Sequence, residues 1–344
     1  MKHIIMKKNI STIAVTILSA FCLCNAQTVK THVVEDGGTG PFKAEIVADE
    51  SLPAFTIYRP QNIRDVVAEN GRLPIVLYGN GGCANNNIEM RLLLSEIASY
   101  GYIVVAIGPY DEEDPVEKWK DVLKTMYPTG KKVVLANGEE LKELTDEEKE
   151  QHMKEMADEN SREKAQSYFG TYSRQLLEAM DWVTDRNADQ SSEYYHCADL
   201  RNVAVMGQSC GGAQALAVSH DPRISTAIIL NSGIGDMSMQ GATKSQLANI
   251  EIPMLYIAGG PSDVAFNNAK LDFQRLQGVP VVLINTPDGH SGTFYETNGG
   301  KYASAVRRWL DWKLKDKDSE ADIFTNEKSL MEFEPTWSSV SKNL

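Results

Sequence analysis

The sequence predicts an α/β fold: one mostly parallel, twisted sheet with helices on both faces. Three observations carry this. Short runs of aliphatic and β-branched residues, at 73–78, 102–107, 203–206, 224–230, 253–258 and 280–284, read as strands buried on both sides. Segments with helical spacing of apolar residues lie between them. Gly-rich or otherwise unusual loops follow these strands, and in an open parallel sheet ligand chemistry lies beyond the carboxyl ends of the strands.

Before the core, residues 1–26 stand apart. Lys2, Lys7 and Lys8 precede an apolar run over 10–24 that ends in Cys24-Asn25-Ala26. A basic start, a short apolar stretch and a small residue before the cut define a secretory signal peptide. The run is short for a membrane span and has no stop-transfer flank. A lipoprotein anchored at Cys22 or Cys24 is the lesser alternative, because Phe21 and Leu23 stand where a lipobox wants a small residue. The expected mature chain is therefore 27–344, a single domain, secreted or periplasmic, with no membrane contact once the signal is cleaved.

Charge narrows the partners. The formal net charge of the 344 residues is −13, and loss of the three leader lysines takes it to −16. Phosphate contacts need the opposite sign, so nucleic acid is excluded as a partner, as is docking on anionic lipid. A hydrophobic content of 42% is ordinary for a domain with a sizeable core. Cys83, Cys197 and Cys210 survive cleavage. Their odd number leaves at least one unpaired within the chain, and their spacing fits no zinc pattern, so no metal is expected.

In chain order, 42–47 and 54–60 alternate as antiparallel edge strands. The strand at 73–78 enters Gly79-Asn80-Gly81-Gly82. A helix over 88–100 stops at Gly101, and the strand at 102–107 ends at Gly108-Pro109. The rhythm then breaks. Residues 111–166 hold seventeen acidic against ten basic residues. This is an acidic insertion, read either as a lid or site wall or as a solvated surface excursion. A helix over 168–184 presents Leu176, Leu177, Met180 and Val183 on one face. After the strand at 203–206 come helical residues from 213, then the strand at 224–230 and the loop Asn231 to Asp236. The strand at 253–258 enters Gly259-Gly-Pro-Ser-Asp263, a helix covers 268–276, and the strand at 280–284 enters Asn285-Thr-Pro-Asp-Gly-His290. A closing amphipathic helix spans 302–314. The polar tail, 316–344, carries Phe324, Met331, Phe333 and Trp337, which predicts that it packs back on the body.

The chemistry concentrates at Gly207-Gln208-Ser209-Cys210-Gly211, between a buried strand and a helix. Gly-x-Ser-x-Gly in that context is a nucleophile elbow, a turn so sharp that its serine is lifted clear of the sheet. Gly207 and Gly211 are required where a Cβ would collide with a neighbouring element, and the helix start aims free N–H groups at the serine oxygen.

On these residues, together with Gly259-Gly-Pro-Ser-Asp263 and Gly289-His290-Ser291, the chain resembles the α/β-hydrolase superfamily over roughly residues 52–315, within it the dienelactone-hydrolase and bacterial polyester-hydrolase branch. The resemblance implies a three-layer α/β-hydrolase fold. The order Ser, Asp, His is the superfamily's, and it implies Ser209 as nucleophile, His290 as base and Asp263 as the group orienting the imidazole. Asp288 and Asp236 are rivals for the last role. His3, His32, His152, His196 and His220 lie in the leader, ahead of the core, in the insertion or away from the elbow's serine. The resemblance also implies an oxyanion hole from the backbone N–H of Cys210 with that of Asn80, or Gly81 next. Cys83 and Cys210 flank that hole. Their plainer reading is two small buried thiols, the alternative a disulfide that fixes the hole.

The implied function is an exported serine hydrolase that cleaves a carboxylic ester through an acyl-enzyme, with no cofactor. Its substrate is a small-molecule ester or an acyl ester on a glycan. The alternatives are a serine peptidase or acyltransferase on the same triad, or a catalytically silent hydrolase-like binding protein. Gln208 and Cys210 stand where polyester hydrolases carry an aromatic residue and Met, and the insertion is foreign to them; both depart from a polyester substrate.

Overall fold

Even and odd residues of the central strands part cleanly between two cores. The computed structural model describes residues 29–33, 37–110, 133–134, 140–141 and 170–344. Along a strand, successive side chains leave on opposite faces. Ile75, Leu77, Val203 and Val205 enter one core, and Val76, Tyr78, Ala204 and Met206 enter the other. All are fully buried, so these strands need no polar face and read as unbroken apolar runs.

Ten strands form the main sheet: β1 (Val29–Val33), β2 (Ala44–Asp49), β3 (Phe55–Pro60), β4 (Leu73–Gly79), β5 (Ile103–Ile107), β6 (Ala198–Gln208), β7 (Thr226–Leu230), β8 (Met254–Ala258), β9 (Val281–Asn285) and β10 (Ser338–Lys342). Their spatial order is β1-β2-β3-β5-β4-β6-β7-β8-β9-β10. The pairings from β5 through β9 are parallel. Antiparallel pairings attach β1, β2 and β3 at one side and β10 at the other. The mixed, mostly parallel sheet puts the chain in the general α/β class.

Helices cover both faces. On the first lie α1 (Ile63–Asn70), α3 (Arg174–Ala188), α4 (Cys210–Val218) and α5 (Phe266–Arg275). On the second lie α2 (Arg91–Ser99), α6 (Gly300–Leu314), α7 (Asp322–Thr325) and α8 (Glu327–Phe333). Trp309 of α6 is fully buried there. Its indole N–H donates to Thr226 Oγ1 at 2.9 Å, and its ring meets Phe324 edge-on, centroids 5.2 Å apart. A buried indole needs such an acceptor.

Several elements differ from the sequence reading, each for a physical reason. The tail packs back through Phe324, Leu330 and Trp337, but Met331 is exposed. It also supplies β10, whose Ser-Ser-Val-Ser-Lys has no apolar alternation because backbone pairing to β9 alone defines it. α1 escapes notice because only Ile63 and Val66 of it are buried. α3 starts at Arg174, not at 168. Ahead of it the Thr171 hydroxyl donates to Cys83 C=O at 2.7 Å, and Gln175 Oε1 accepts from the Tyr172 amide at 2.9 Å, which ties this segment to the loop after β4. The expected signal peptide, 1–26, lies outside the described residues. So does the insertion at 111–166, apart from a two-residue antiparallel ladder joining Val133 to Leu141 and Val134 to Glu140. No described helix is long and apolar enough to cross a membrane.

One buried carboxyl shapes the loop beside β7. Asp272 of α5 is fully buried and accepts from the amides of Ile234 at 2.7 Å and Gly235 at 2.9 Å. Burial pushes its carboxyl up from 3.8 to about 6, against the pull of those amides. The folded chain therefore binds a proton between pH about 4 and about 6 that the unfolded chain has released. By linkage the site's contribution to stability falls as pH rises through that window. Urea unfolding of wild type and Asp272→Asn tests this. The difference in unfolding free energy, wild type minus variant, should fall from pH 4 to pH 6 and level off above 7.

Candidate active site

The chain reverses its direction across the sheet at β4 and β6. β4 leads to α2 on the second face, and its neighbour β6 leads to α4 on the first. Where adjacent connections leave on opposite faces, a crevice opens beyond the carboxyl ends of the strands. The loop Gly79-Asn80-Gly81 and the turn at Ser209 are its two lips.

Between β6 and α4 there is no spacer residue but Ser209. It takes φ 51° and ψ −117°, a conformation that costs a side-chain-bearing residue about 1–3 kcal/mol. The turn survives because its neighbours are fixed on both sides. The Ser209 amide donates to Leu230 C=O at 3.0 Å. Its carbonyl accepts from the Gly212 amide at 2.9 Å and from the Ser232 hydroxyl at 2.5 Å. The glycines allow the approach: a Cβ on Gly207 would fall on the Gly211 carbonyl, and one on Gly211 on the Gly79 carbonyl. β4, β6 and α4 thus touch backbone to backbone at the elbow.

His290 stands over this turn from the loop after β9. Its Nε2 lies 2.9 Å from Ser209 Oγ and its Nδ1 2.6 Å from Asp263 Oδ1. The Asp263 side chain is fully buried, whereas the imidazole keeps a quarter of its surface exposed. Burial alone would raise the carboxyl of Asp263. The His290 hydrogen bond and the amides of Ala265 at 2.9 Å and Gly259 at 3.0 Å outweigh it and hold the group below its ordinary range. An ionised Asp263 accepts only, so Nδ1 carries the proton and Nε2 turns a lone pair toward the serine hydroxyl. Such a row can deprotonate Ser209 as it attacks an electrophile and return the proton to a leaving group.

The rival acids stand elsewhere. Asp236 is exposed and paired with Arg275 at 2.7 Å and Lys244 at 3.3 Å. Asp288 has no hydrogen bond to the imidazole among the described residues. His196 stacks on Tyr195, and His220 follows α4 at the end remote from Ser209.

The other lip holds the remaining expected residues. The Asn80 side-chain NH2 is taken up by the loop and by the end of β5. Its Nδ2 donates to Ala84 C=O at 2.9 Å and Ile107 C=O at 2.7 Å, so the side chain has no donor left for an oxyanion and its main-chain amide is the one that could serve. Gly81 packs on Gln208, whose Oε1 fills the place of a Cβ. Neither the Gly81 nor the Cys210 amide has an acceptor among the described residues. The two lips are joined covalently: Cys83 and Cys210 form a disulfide, Cα atoms 5.2 Å apart, which corrects the reading of two separate thiols. Cys197 is free and buried. Among the described residues no group of three His, Cys, Asp or Glu side chains stands close enough to hold a metal ion.

Three residues at the site were missed in the sequence. Gln208 donates from Nε2 to His290 C=O at 3.1 Å. Asn231 reaches the same carbonyl at 2.8 Å, and Ser232 supports the elbow. All three lie within two residues of the carboxyl end of β6 or β7, where this fold class gathers its chemistry. Position was the available signal for Asn231 and Ser232, which fall in no recognisable motif; Gln208 is a variable position of Gly-x-Ser-x-Gly, and the motif assigns it no role.

The disulfide gives a direct prediction. A chain beginning at residue 27 should show one reactive thiol when denatured without reductant, from Cys197, and three after reduction. Reduction should also lower unfolding stability by about 2–4 kcal/mol, since the bridge closes a long loop. Three thiols before reduction would remove the bridge from the account. This chain matches no protein-family model, and no curated protein matches it.

Proposed function

We propose that this chain is an exported serine hydrolase of the α/β-hydrolase fold that cleaves carboxylic esters through an acyl-enzyme. The observation that carries the reading is the single row from Ser209 Oγ through His290, 2.9 Å away, to buried Asp263, 2.6 Å further. The strand order around β4 and β6 and the elbow after β6 support the fold assignment.

In this reading Ser209 Oγ attacks the ester carbonyl carbon while its proton passes to His290 Nε2. Asp263 stabilises the resulting imidazolium and keeps its orientation. The carbonyl oxygen becomes an oxyanion and accepts from the Cys210 amide at the start of α4 and from an amide of Asn80 or Gly81 across the crevice. Donors placed where charge develops do most when they need no rearrangement, and the Cys83–Cys210 bridge holds the two lips at fixed separation. His290 gives its proton to the departing alkoxide. Water then enters, loses a proton to His290 and attacks the acyl carbon; the acid leaves and Ser209 regains its proton. No metal or cofactor takes part in these steps. The substrate is a small soluble ester or an acyl group on a glycan, met outside the cytoplasm.

Hydrolysis of p-nitrophenyl esters from acetate to octanoate tests the proposal. Wild type should turn over at least the short esters. Ser209→Ala and His290→Ala should each lose about 10^3-fold or more in kcat, and Asp263→Asn should lose less. Full activity in Ser209→Ala would sink it.

A further inference from the structure

Asn231 lies one residue past β7, fully buried, with φ 42°. Its Nδ2 donates to Gly289 C=O at 2.9 Å and to His290 C=O at 2.8 Å. Its Oδ1 accepts from Tyr302 OH at 2.9 Å, and Tyr302 OH lies 2.9 Å from Thr286 Oγ1. Proton positions in this chain follow from the acceptors. Two carbonyls can only accept, so the amide must turn its NH2 to them and its oxygen to Tyr302. Tyr302 must then donate to Asn231, and Thr286 must donate to Tyr302. That leaves a Thr286 lone pair for the Asp288 amide, 3.3 Å away. Every bond in the row has one donor and one acceptor, so the network has one low-energy arrangement.

We infer that Asn231 is a positioning residue for His290, acting through the backbone of residues 289–290 and held in turn by Tyr302 and Thr286; the inference rests on the serine-hydrolase reading. The loop it grips is soft by composition: Gly289 and Gly292 both have positive φ. One further tether ties it to β8, from the Gly289 amide to Gly259 C=O at 2.8 Å. Gln208 adds a second amide donor on His290 C=O, so both lone pairs of that oxygen are used. The imidazole therefore hangs from a carbonyl fixed by the ends of β6 and β7, the same two strands that flank and anchor Ser209. A change that frees that carbonyl leaves the nucleophile in place and moves only the base.

The test is Asn231→Gly, with Tyr302→Phe beside it. Glycine accepts φ 42° without strain, so the substitution removes the clamp and not the backbone conformation. Tyr302→Phe removes only the outer hydroxyl. With p-nitrophenyl acetate, Asn231→Gly should lose about 10- to 100-fold in kcat with KM within about threefold, because a misplacement of 1 Å can cost 10^2-fold. Tyr302→Phe should lose several-fold. The downfield proton resonance of the His290 Nδ1–H, identified by its absence in His290→Ala, should shift or broaden in Asn231→Gly. A folded Asn231→Gly with kcat within twofold of wild type and an unmoved resonance would overturn the inference while leaving the hydrolase reading intact. If that variant does not fold, unchanged kcat in Tyr302→Phe overturns it equally. Absence of ester turnover in wild type would strike the hydrolase reading itself.

Discussion

Three glycine backbones meet where β4, β6 and α4 converge, and nearly everything else at the crevice follows from that contact. Gly207 and Gly211 have no room for a Cβ, which would fall on the backbone of Gly211 and of Gly79 respectively. Their approach forces the chain to turn within one residue, and the residue left at the turn is Ser209 in a left-handed conformation. A serine there projects away from the sheet, and the next amide begins a helix and has no acceptor among the described residues. The same contact brings Cys210 beside Cys83 of the opposite lip, so one covalent bond closes what the glycines allow. Strain at Ser209 is borne at the end of β7, where Leu230 C=O accepts from its amide and the Ser232 hydroxyl donates to its carbonyl.

Against this rigid corner the loop that carries His290 is built differently. His290 sits in a loop with two glycines of positive φ, closed locally by one long bond from the Gly292 amide to Gly289 C=O at 3.3 Å. Rigidity comes from outside: a buried carboxylate on one ring nitrogen, side-chain amides on its carbonyl, and the backbone of β8 on the residue before it. Burying Asp263 is costly for a charge, and the three donors that meet it offset that cost. The arrangement divides labour between a strained turn at Ser209 and a hydrogen-bonded cage around His290.

Much of this was legible in the sequence, for reasons that can be named. The doubly buried strands announce themselves because neither face tolerates polarity. Gly207 and Gly211 announce the elbow because only glycine fits. Asp263 and His290 were legible through chain order and through their place after a strand. Asn231, Gln208 and Tyr302 were not, because an amide or phenol that bonds to backbone carbonyls needs no particular neighbour in sequence. β10 was hidden for a related reason, since its hydrogen bonds are main-chain and its side chains polar. The bond between Cys83 and Cys210 spans 127 residues, a closeness that only the sheet order reveals.

The central claim is that Ser209 is a nucleophile activated by His290. Reaction of the protein with a fluorophosphonate, followed by peptide mass mapping, tests it most directly. The account predicts one adduct per chain, on the peptide containing Ser209, and none in His290→Ala over the same time. An adduct on another serine, or ester turnover by a protein whose Ser209 stays unmodified, would contradict it.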